Sequence, residues 1–464
     1  MNATGDPADV RSLERSHGEL NYFDQAAFEL LRVTGRVQLL QHIWVYEHPV
    51  DIEALRQFYQ AFGSGLFGRL IERSPLPFAR PRWVSRLGPQ QDIITADNPR
   101  QRAELMDWAD ELAMRPIDPE RGPGWILGIL PMTDGSTAVS TVTSHCLVDG
   151  GGATLTIWNL IRRCPQDFGY AKPKARSHSR AVMEDLRASL GEVPQLVRAL
   201  VHLGALAVKN RRSAARPSSA TAQEIEDVGD PGQVVLVPSL VATIDTEMWD
   251  ARAKAVGGNT FSLVAGFAAR IAQHLGRVRR SDQHVTLVVP RDRREGTGDD
   301  RAFAISFANA EIDPEKVTSD LTEAREVIRT ARARVESEPD PVANLLPLVP
   351  WFPRSVAKAL ANLMFSYEEA LPVSCSNVGD VPEELANIDG TAADFFFARS
   401  IDQNVTLRDL QRSQGTLVVV SGRINGKIWL AVEAYQLGVE NSKVRLREML
   451  QRTLDEFELS GVIH

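Results

Sequence analysis

The chain has little cysteine, no long apolar run and no excess of basic charge, and each absence closes a class of function. Cys146, Cys164 and Cys375 are the 3 cysteines among 464 residues, widely spaced and without a CxxC pair. That spacing argues against a zinc ribbon or a disulfide framework, predicts no metal site, and fits a reducing cytosol. The formal net charge of -8 leaves no overall basic field to hold nucleic acid by its phosphates. The first residues, MNATGDPADVRSLERSHGEL, lack an apolar core and do not read as a signal peptide. No uninterrupted apolar run reaches the roughly 20 residues that span a bilayer. Two stretches come near it. Val193 to Val208 is broken by Arg198 and His202, and Leu345 to Phe365 by Pro347, Pro350, Pro353, Arg354 and Lys358. Both have the composition to lie on a membrane surface or to close over an apolar ligand. The expectation adopted is that both are core or inter-domain helices, the commoner fate of apolar helices. No short-period repeat is present.

What is present suits a globular protein: the chain is 43% hydrophobic and 24% charged, enough for an ample core. LNYFDQAAFELL reads as a short helix. In DIEALRQFYQAF, Ile52, Leu55, Phe58 and Phe62 share one helical face behind Asp51 as N-cap. WILGILPMTDGSTAVSTVTSH reads as a hairpin turning at Asp134-Gly135, and TLVVVSGRINGKIWLAVEAY as a second turning at Asn425-Gly426. Between the halves, RRSAARPSSATAQEIEDVGDPGQ is polar and turn-rich and reads as a surface connection. NTFSLVAGFAARIAQHLG is an apolar helix ended by Gly276. DLTEAREVIRTARARV is an amphipathic one with Asp320 and Glu323 as a capping box. Strands and helices mix in each half. The expected fold class is therefore α+β, two lobes joined by a crossover: residues 1–164, 165–238 and 239–464.

The first hairpin delivers TVTSHCLVDGGG, Thr141 to Gly152. A strand running into glycines displays its last side chain at an open sheet end. His145, with an ordinary pKa near 6.5, suits a general base acting on a hydroxyl or amine. Asp149 is placed to orient the ring or to anchor the loop, and Gly150, Gly151 and Gly152 leave room for close approach. A bland reading stands beside this: a histidine satisfied by a backbone carbonyl. A metal reading needs a helix and further ligands nearby, which are missing. The pattern H-x-x-x-D-G is expected about 0.04 times by chance in this composition.

At these residues the sequence resembles the coenzyme-A-dependent acyltransferase superfamily, with its H-H-x-x-x-D-G signature. Within it the chain is most similar to bacterial wax ester synthase/diacylglycerol acyltransferases. LNYFDQAAFELL, RPIDPERGPGWILGIL, TSHCLVDGGG, LVVPRDRRE, AISFANAEI and SCSNVGDVP match six family segments in order. The resemblance implies two chloramphenicol-acetyltransferase-like lobes, each a mixed sheet with helices, and a substrate tunnel between them. It implies His145 as the base that deprotonates the acceptor, and Asp149 as a structural partner of an arginine. By position Arg294 is that arginine, ahead of Arg291 and Arg293. Asn377 is implied near the tunnel, as support for the thioester oxyanion or simply as a turn residue. Acyl-CoA is the implied co-substrate, with no permanently bound cofactor.

The departures bear on the substrate. The first motif histidine is Ser144, which alternation places on the face opposite His145. The family's Asn-Asp pair falls at Phe261-Ser262, and its PLWE segment becomes Gly124-Trp125-Ile126. The function expected is transfer of an acyl group, long-chain by the resemblance, from acyl-CoA to a hydroxyl of a fatty alcohol, diacylglycerol or natural-product alcohol. The alternatives are a condensation enzyme using an acyl carrier protein and a non-catalytic lipid-binding homologue. The expected location is cytoplasmic, with peripheral contact to a membrane or lipid droplet left open.

Overall fold

The computed structural model describes residues 18–213, 230–337, 343–351 and 371–464. In chain order the elements are α1 (Tyr22–Thr34), β1 (Val37–Tyr46), α2 (Ile52–Phe62), β2 (Arg69–Glu72), β3 (Arg82–Ser85), β4 (Ile94–Thr95), α3 (Leu105–Ala113), β5 (Trp125–Pro131), β6 (Thr137–Ser144), α4 (Gly150–Ile161), α5 (His178–Gly191) and α6 (Val193–Ser213). The second half continues with β7 (Ser239–Asp245), α7 (Thr246–Ala255), α8 (Thr260–His274), β8 (Val285–Asp292), β9 (Ile305–Ile312), α9 (Thr322–Ser337), β10 (Val373–Asp380), β11 (Phe395–Gln403), α10 (Leu407–Arg412), β12 (Thr416–Ile424), β13 (Lys427–Tyr435), α11 (Lys443–Glu456) and β14 (Val462–Ile463).

Two mixed sheets organise the lobes. The first runs β11-β1-β6-β5-β4 and the second β14-β7-β13-β12-β10-β8-β9. In the first, β4 lies parallel to β5; in the second, β10 lies parallel to both β8 and β12; the other pairings are antiparallel. The first sheet is not drawn from one half of the chain. Strand β11, from the second half, pairs with β1 from Val37↔Gln403 to Val45↔Phe395. The sequence ranges 1–164 and 239–464 thus meet inside one sheet, and β11 ties the lobes covalently and by hydrogen bonds.

Local chemistry explains the elements that sequence makes visible. Asn425 and Gly426 both take positive φ, 49° and 69°, so the two-residue turn between β12 and β13 has the twist that antiparallel strands prefer. The first hairpin closes through Gly135 at φ 88°. Asp51 caps α2 by accepting from the Glu53 and Ala54 amides. The buried face of α2 is Leu55, Phe58, Tyr59 and Phe62, whereas Ile52 is exposed; the inward stripe is rotated so that Tyr59 takes its place. Of the connection Arg211 to Gln233, residues 214–229 lie outside the described residues, as do residues 352–370 of the second apolar stretch. The start of that stretch is a 3-10 segment, Ala343–Trp351.

Period-two burial shows how the sheets sit. In β10 and β12, Val373, Cys375, Leu417 and Val419 are buried, while Ser374, Ser376, Val418 and Val420 are half-exposed. In the first sheet, Gln38 is exposed, and Leu40, Ser400 and Asp402 are half-buried on the face opposite buried Leu39, Gln41, Arg399 and Ile401. The half-exposed faces turn toward one another. Trp429 shares a face with Val420 and Gly422, and its ring meets Phe396 edge-on at 5.6 Å, while its Nε1 donates to the Ala398 carbonyl at 3.2 Å. The two sheets thus meet through Trp429 and Phe396, and each keeps a face that is only partly covered.

Candidate active site

His145 stands one residue beyond β6, where the chain turns into α4. Its backbone N–H donates to the Gln38 carbonyl at 2.8 Å, extending the β1–β6 ladder by one residue. By alternation its side chain is on the same sheet face as Gln38 and Asp402, and Ser144 is on the other. The imidazole is half-buried. Its Nδ1 is buried without a hydrogen-bond partner among the described residues. The ring stacks on Phe303, with centroids 4.8 Å apart and planes 9° from parallel. Burial pushes its pKa below the usual histidine range. The Asp149 carboxylate and the residue's own carbonyl oppose that shift without cancelling it. The ring is therefore neutral at pH 7, the state a base requires.

Asp149 does not touch the ring by hydrogen bond. It is the N-cap of α4, with Oδ1 accepting from the Gly152 amide at 2.7 Å. The same oxygen receives Arg294 Nη2 at 2.9 Å, and Oδ2 receives the Ala304 amide at 2.7 Å. Side-chain exposure is 2% for Asp149 and 4% for Arg294, so this is a buried pair. Arg294 is further fixed by Nη1 donating to the Asp299 and Arg301 carbonyls. The neighbouring candidates point elsewhere: Arg291 pairs with Glu336, and Arg293 bonds Ser306 and the Val335 carbonyl. Among the three glycines, the third is the sterically constrained one. A Cβ on Gly152 would lie 2.7 Å from Arg294 Nη2, one on Gly151 3.2 Å from Asp292 Oδ2, and one on Gly150 would meet nothing.

The structure brings Ser144, His145, Asp149, Gly150 and Arg294 into one corner. Ser144 is fully buried, paired with Leu39 across the ladder, and its Oγ has no hydrogen-bond partner among the described residues. Asn377 lies apart on β10. Its Oδ1 accepts the Gly379 amide at 2.8 Å, where Gly379 takes φ 82°, so its oxygen shapes a local turn. No hydrogen bond links it to the corner among the described residues.

Three residues that build the corner were not singled out in the sequence: Asp24, Phe303 and Arg69. The loop between β8 and β9 crosses from the second lobe as a strap over the corner. Asp24, near the start of α1, accepts from the Ala302 amide at 3.0 Å and the Phe303 amide at 2.9 Å. With Asp149 taking the Ala304 amide and donating its own N–H to the Ala302 carbonyl, the strap hangs from two carboxylates. Phe303 is thereby laid on the His145 ring, with Phe23 behind it at 5.4 Å. Arg69, buried over the face of Trp83 at 3.7 Å, ties the Leu147 carbonyl to the Asp300 carbonyl and so joins the histidine turn to the strap. Asp24 alone had a sequence signal, as the acid inside LNYFDQAAFELL. Phe303 and Arg69 had none, because their partners are far away in the chain. Burial pushes the Asp24 pKa up to about 6 despite its backbone donors. A second histidine of the sheet, His42, is buried beside Trp44 and Phe396, with its pKa pushed down to about 4, and is closed to any substrate.

Among the described residues no group of histidine, cysteine or acidic side chains could hold a metal ion, and the three cysteines are free. No described helix is long and apolar enough to cross a membrane.

With this geometry in place, comparison with known proteins is informative. The family model for the wax ester synthase/diacylglycerol acyltransferase catalytic domain matches residues 51–281, just under half of the chain. No curated protein matches the chain by sequence. The fold is similar to that of a wax ester synthase/diacylglycerol acyltransferase from Marinobacter aquaeolei VT8, with TM-score 0.55 and 14% identity over 95% of this chain and 98% of that one. It is also similar to a trichothecene 15-O-acetyltransferase from Fusarium sporotrichioides, with TM-score 0.56 and 12% identity over 95% and 94%. The first condensation domain of the CDA synthetase follows, with TM-score 0.52 and 12% identity over 96% and 99%. The chain therefore has the two-lobed fold shared by condensation-domain-like acyltransferases.

Proposed function

We propose that this chain is an acyltransferase in which His145 acts as general base toward a hydroxyl acceptor attacking an acyl thioester. The carrying observation is the state of the ring: neutral through burial, stacked on Phe303, with Nδ1 enclosed and Nε2 in no hydrogen bond among the described residues. In this reading Nδ1 carries the proton and Nε2 takes the one from the acceptor. The alkoxide forms its new bond to the thioester carbonyl carbon, the tetrahedral intermediate collapses, and the C–S bond breaks. The thiolate recovers the proton from the imidazolium. Exposed Gln38 and half-buried Leu40, Ser400 and Asp402 on the His145 face support approach of the reactants from that side. Asp149 and Arg294 act as scaffold, since both side chains are enclosed and they join the α4 cap to the strap. No step is assigned to Asn377, whose oxygen is spent on its turn, nor to Ser144, which is on the far face.

A long-chain acyl-CoA is the proposed donor and a lipid or natural-product alcohol the acceptor, a reading that the wax ester synthase/diacylglycerol acyltransferase match supports. Purified protein should release free CoA from acyl-CoA when an alcohol is supplied. His145→Ala should remove that release with the melting temperature unchanged. Undiminished turnover in that variant sinks the assignment. A parallel run with an acyl group on a phosphopantetheine carrier distinguishes a carrier-dependent condensation enzyme, which would turn over only the carrier-bound donor.

A further inference from the structure

Helices α5 and α6 are built inside out. Along α5, the exposed large side chains are Met183, Leu186 and Leu190; along α6 they are Val193, Val197, Leu200 and Val201. These positions recur three or four residues apart, so each helix carries one continuous apolar stripe. Such a stripe normally faces the core. Here the inward face of α5 is Ala181, Asp185 and Ser189 instead. It is held by polar contacts: Arg176 and Ser74 on Asp185 at 2.6 Å each, and Arg82 at 3.4 Å, with Arg80 pairing with Glu192 just beyond the helix. Exposure reaches 67% at Met183, 64% at Leu190 and 69% at Val201, and among the described residues nothing covers the stripe. Of the expectation that Val193 to Val208 is a core or inter-domain helix, the core reading is corrected over its described side chains: only Ala199 is buried there. Polar anchors on Asp185 and Glu192 fasten α5 and its junction with α6, and the Ala343–Trp351 segment packs along α6 itself.

We infer that this outward face docks the protein on the surface of a bilayer carrying anionic lipid headgroups. Three observations choose that occupant. First, the charges beside the stripe are cationic. Arg187 and Arg198 are exposed and form no ion pair with a described residue, whereas the acids Glu184, Asp185 and Glu192 are all paired with arginines of the fold. Second, the chain as a whole is acidic, with a net charge of -8. An apolar face flanked by unpaired arginines suits an anionic surface better than a second copy of an acidic chain. Third, the segment Ala343–Trp351 packs along α6, and its Trp351 is exposed and stacked on Phe78 at 4.8 Å, the sort of amphipathic ring that sits at a headgroup boundary. No described helix is apolar enough to span, so the contact lies on the surface.

Sedimentation with lipid vesicles tests this without reading any activity, so it stands or falls apart from the acyltransferase proposal. The full chain should pellet with vesicles of phosphatidylcholine mixed with phosphatidylglycerol, and far less with phosphatidylcholine alone. The fourfold variant Leu190→Ser, Val197→Ser, Leu200→Ser and Val201→Ser should lose binding by at least about tenfold. Its melting temperature should not fall, since none of these side chains is in the core. Arg187→Gln and Arg198→Gln should each weaken binding about fivefold at low salt. Failure of the wild type to pellet with anionic vesicles at low salt overturns the inference, as does equal binding by the fourfold variant. A wild-type dimer that this variant converts to monomer overturns it too, in favour of a second copy as occupant.

Discussion

The corner around His145 and the surface of α5–α6 depart from ordinary burial in opposite directions. In the corner, Asp24, Arg69, Asp149 and the Arg294 side chain are enclosed. On α5–α6, Met183, Leu190 and Val201 stand in solvent. Each departure is balanced locally. The corner's charges are met by backbone amides and carbonyls of a strap brought from the other lobe, so desolvation is offset by fixed partners. Helix α5 and its junction with α6 are fastened by arginine–carboxylate contacts, which leaves the exposed apolar stripe outside the core. Polar residues hold both regions in place. What differs is what is left over: an uncommitted imidazole nitrogen in one, an uncommitted apolar face in the other.

The largest break in that contrast comes from removing one member of the buried pair. Asp149→Ala takes away the α4 cap, the Arg294 partner and an acceptor for the strap, and should cost about 3–5 kcal/mol of stability. Leu190→Ser should stay within about 0.5 kcal/mol, although it deletes a larger apolar side chain. Denaturant unfolding of the two variants reads both. A severe loss at Leu190 would mean that the outward stripe belongs to the core after all.

Asp24 gives a pH signature for the same corner. Its folded pKa of about 6 lies above its unfolded value, so the folded state binds a proton more readily than the unfolded state. This group's contribution therefore moves toward stability as pH falls from 6 toward 4, and away from it as pH rises. The stability difference between wild type and Asp24→Asn should shift in favour of the wild type by roughly 2–3 kcal/mol between pH 7 and pH 4. A difference that is flat across this window would show that the strap does not desolvate Asp24.

How much of this was legible beforehand follows from sequence distance. The hairpins at Asp134-Gly135 and Asn425-Gly426, the Asp51 cap and the apolar helix ending near Gly276 all rest on interactions between near neighbours, and they stand where local rules put them. The Asp149–Arg294 contact spans 145 residues, yet it was expected from the family resemblance and not from any local signal. The strap spans 279 residues between Asp24 and Phe303, and nothing in the spacing announces it. The crossing of β11 into the first sheet was equally hidden, since strand pairing partners are set by topology and not by periodicity. For α6 the pattern was legible but its direction was not: an apolar stripe tells which residues share a face, not whether the core or the solvent meets that face.

A smaller test uses the glycines. Gly152→Ala places a methyl 2.7 Å from Nη2 of Arg294, whose guanidinium is held by Asp149 through Nη2 and by the Asp299 and Arg301 carbonyls through Nη1. The overpacking should cost about 1–3 kcal/mol. Gly150→Ala meets open space and should be neutral or stabilising by up to about 1 kcal/mol. Equal melting temperatures for the two variants would show that the corner is looser than its contacts imply.

The smallest predicted effect concerns Phe303, and it separates holding the proposed base from merely filling space. The Phe303 ring covers one face of the His145 imidazole, whose pKa burial lowers. Because the folded pKa is depressed, the neutral base persists to below pH 6.5, and the stability tied to it is lost only as pH falls below that unfolded value. Phe303→Ala readmits water, so the acid limb of the kcat/KM profile should move up toward 6.5, with about a tenfold lower kcat from the loosened ring. Phe303→Leu keeps the apolar cover without the stacked plane. It should leave the limb where the wild type has it and lower kcat by a smaller factor. Profiles of both variants that superimpose on the wild type, in height as well as in pH, would remove Phe303 from the site and leave the strap with no role beyond joining the lobes.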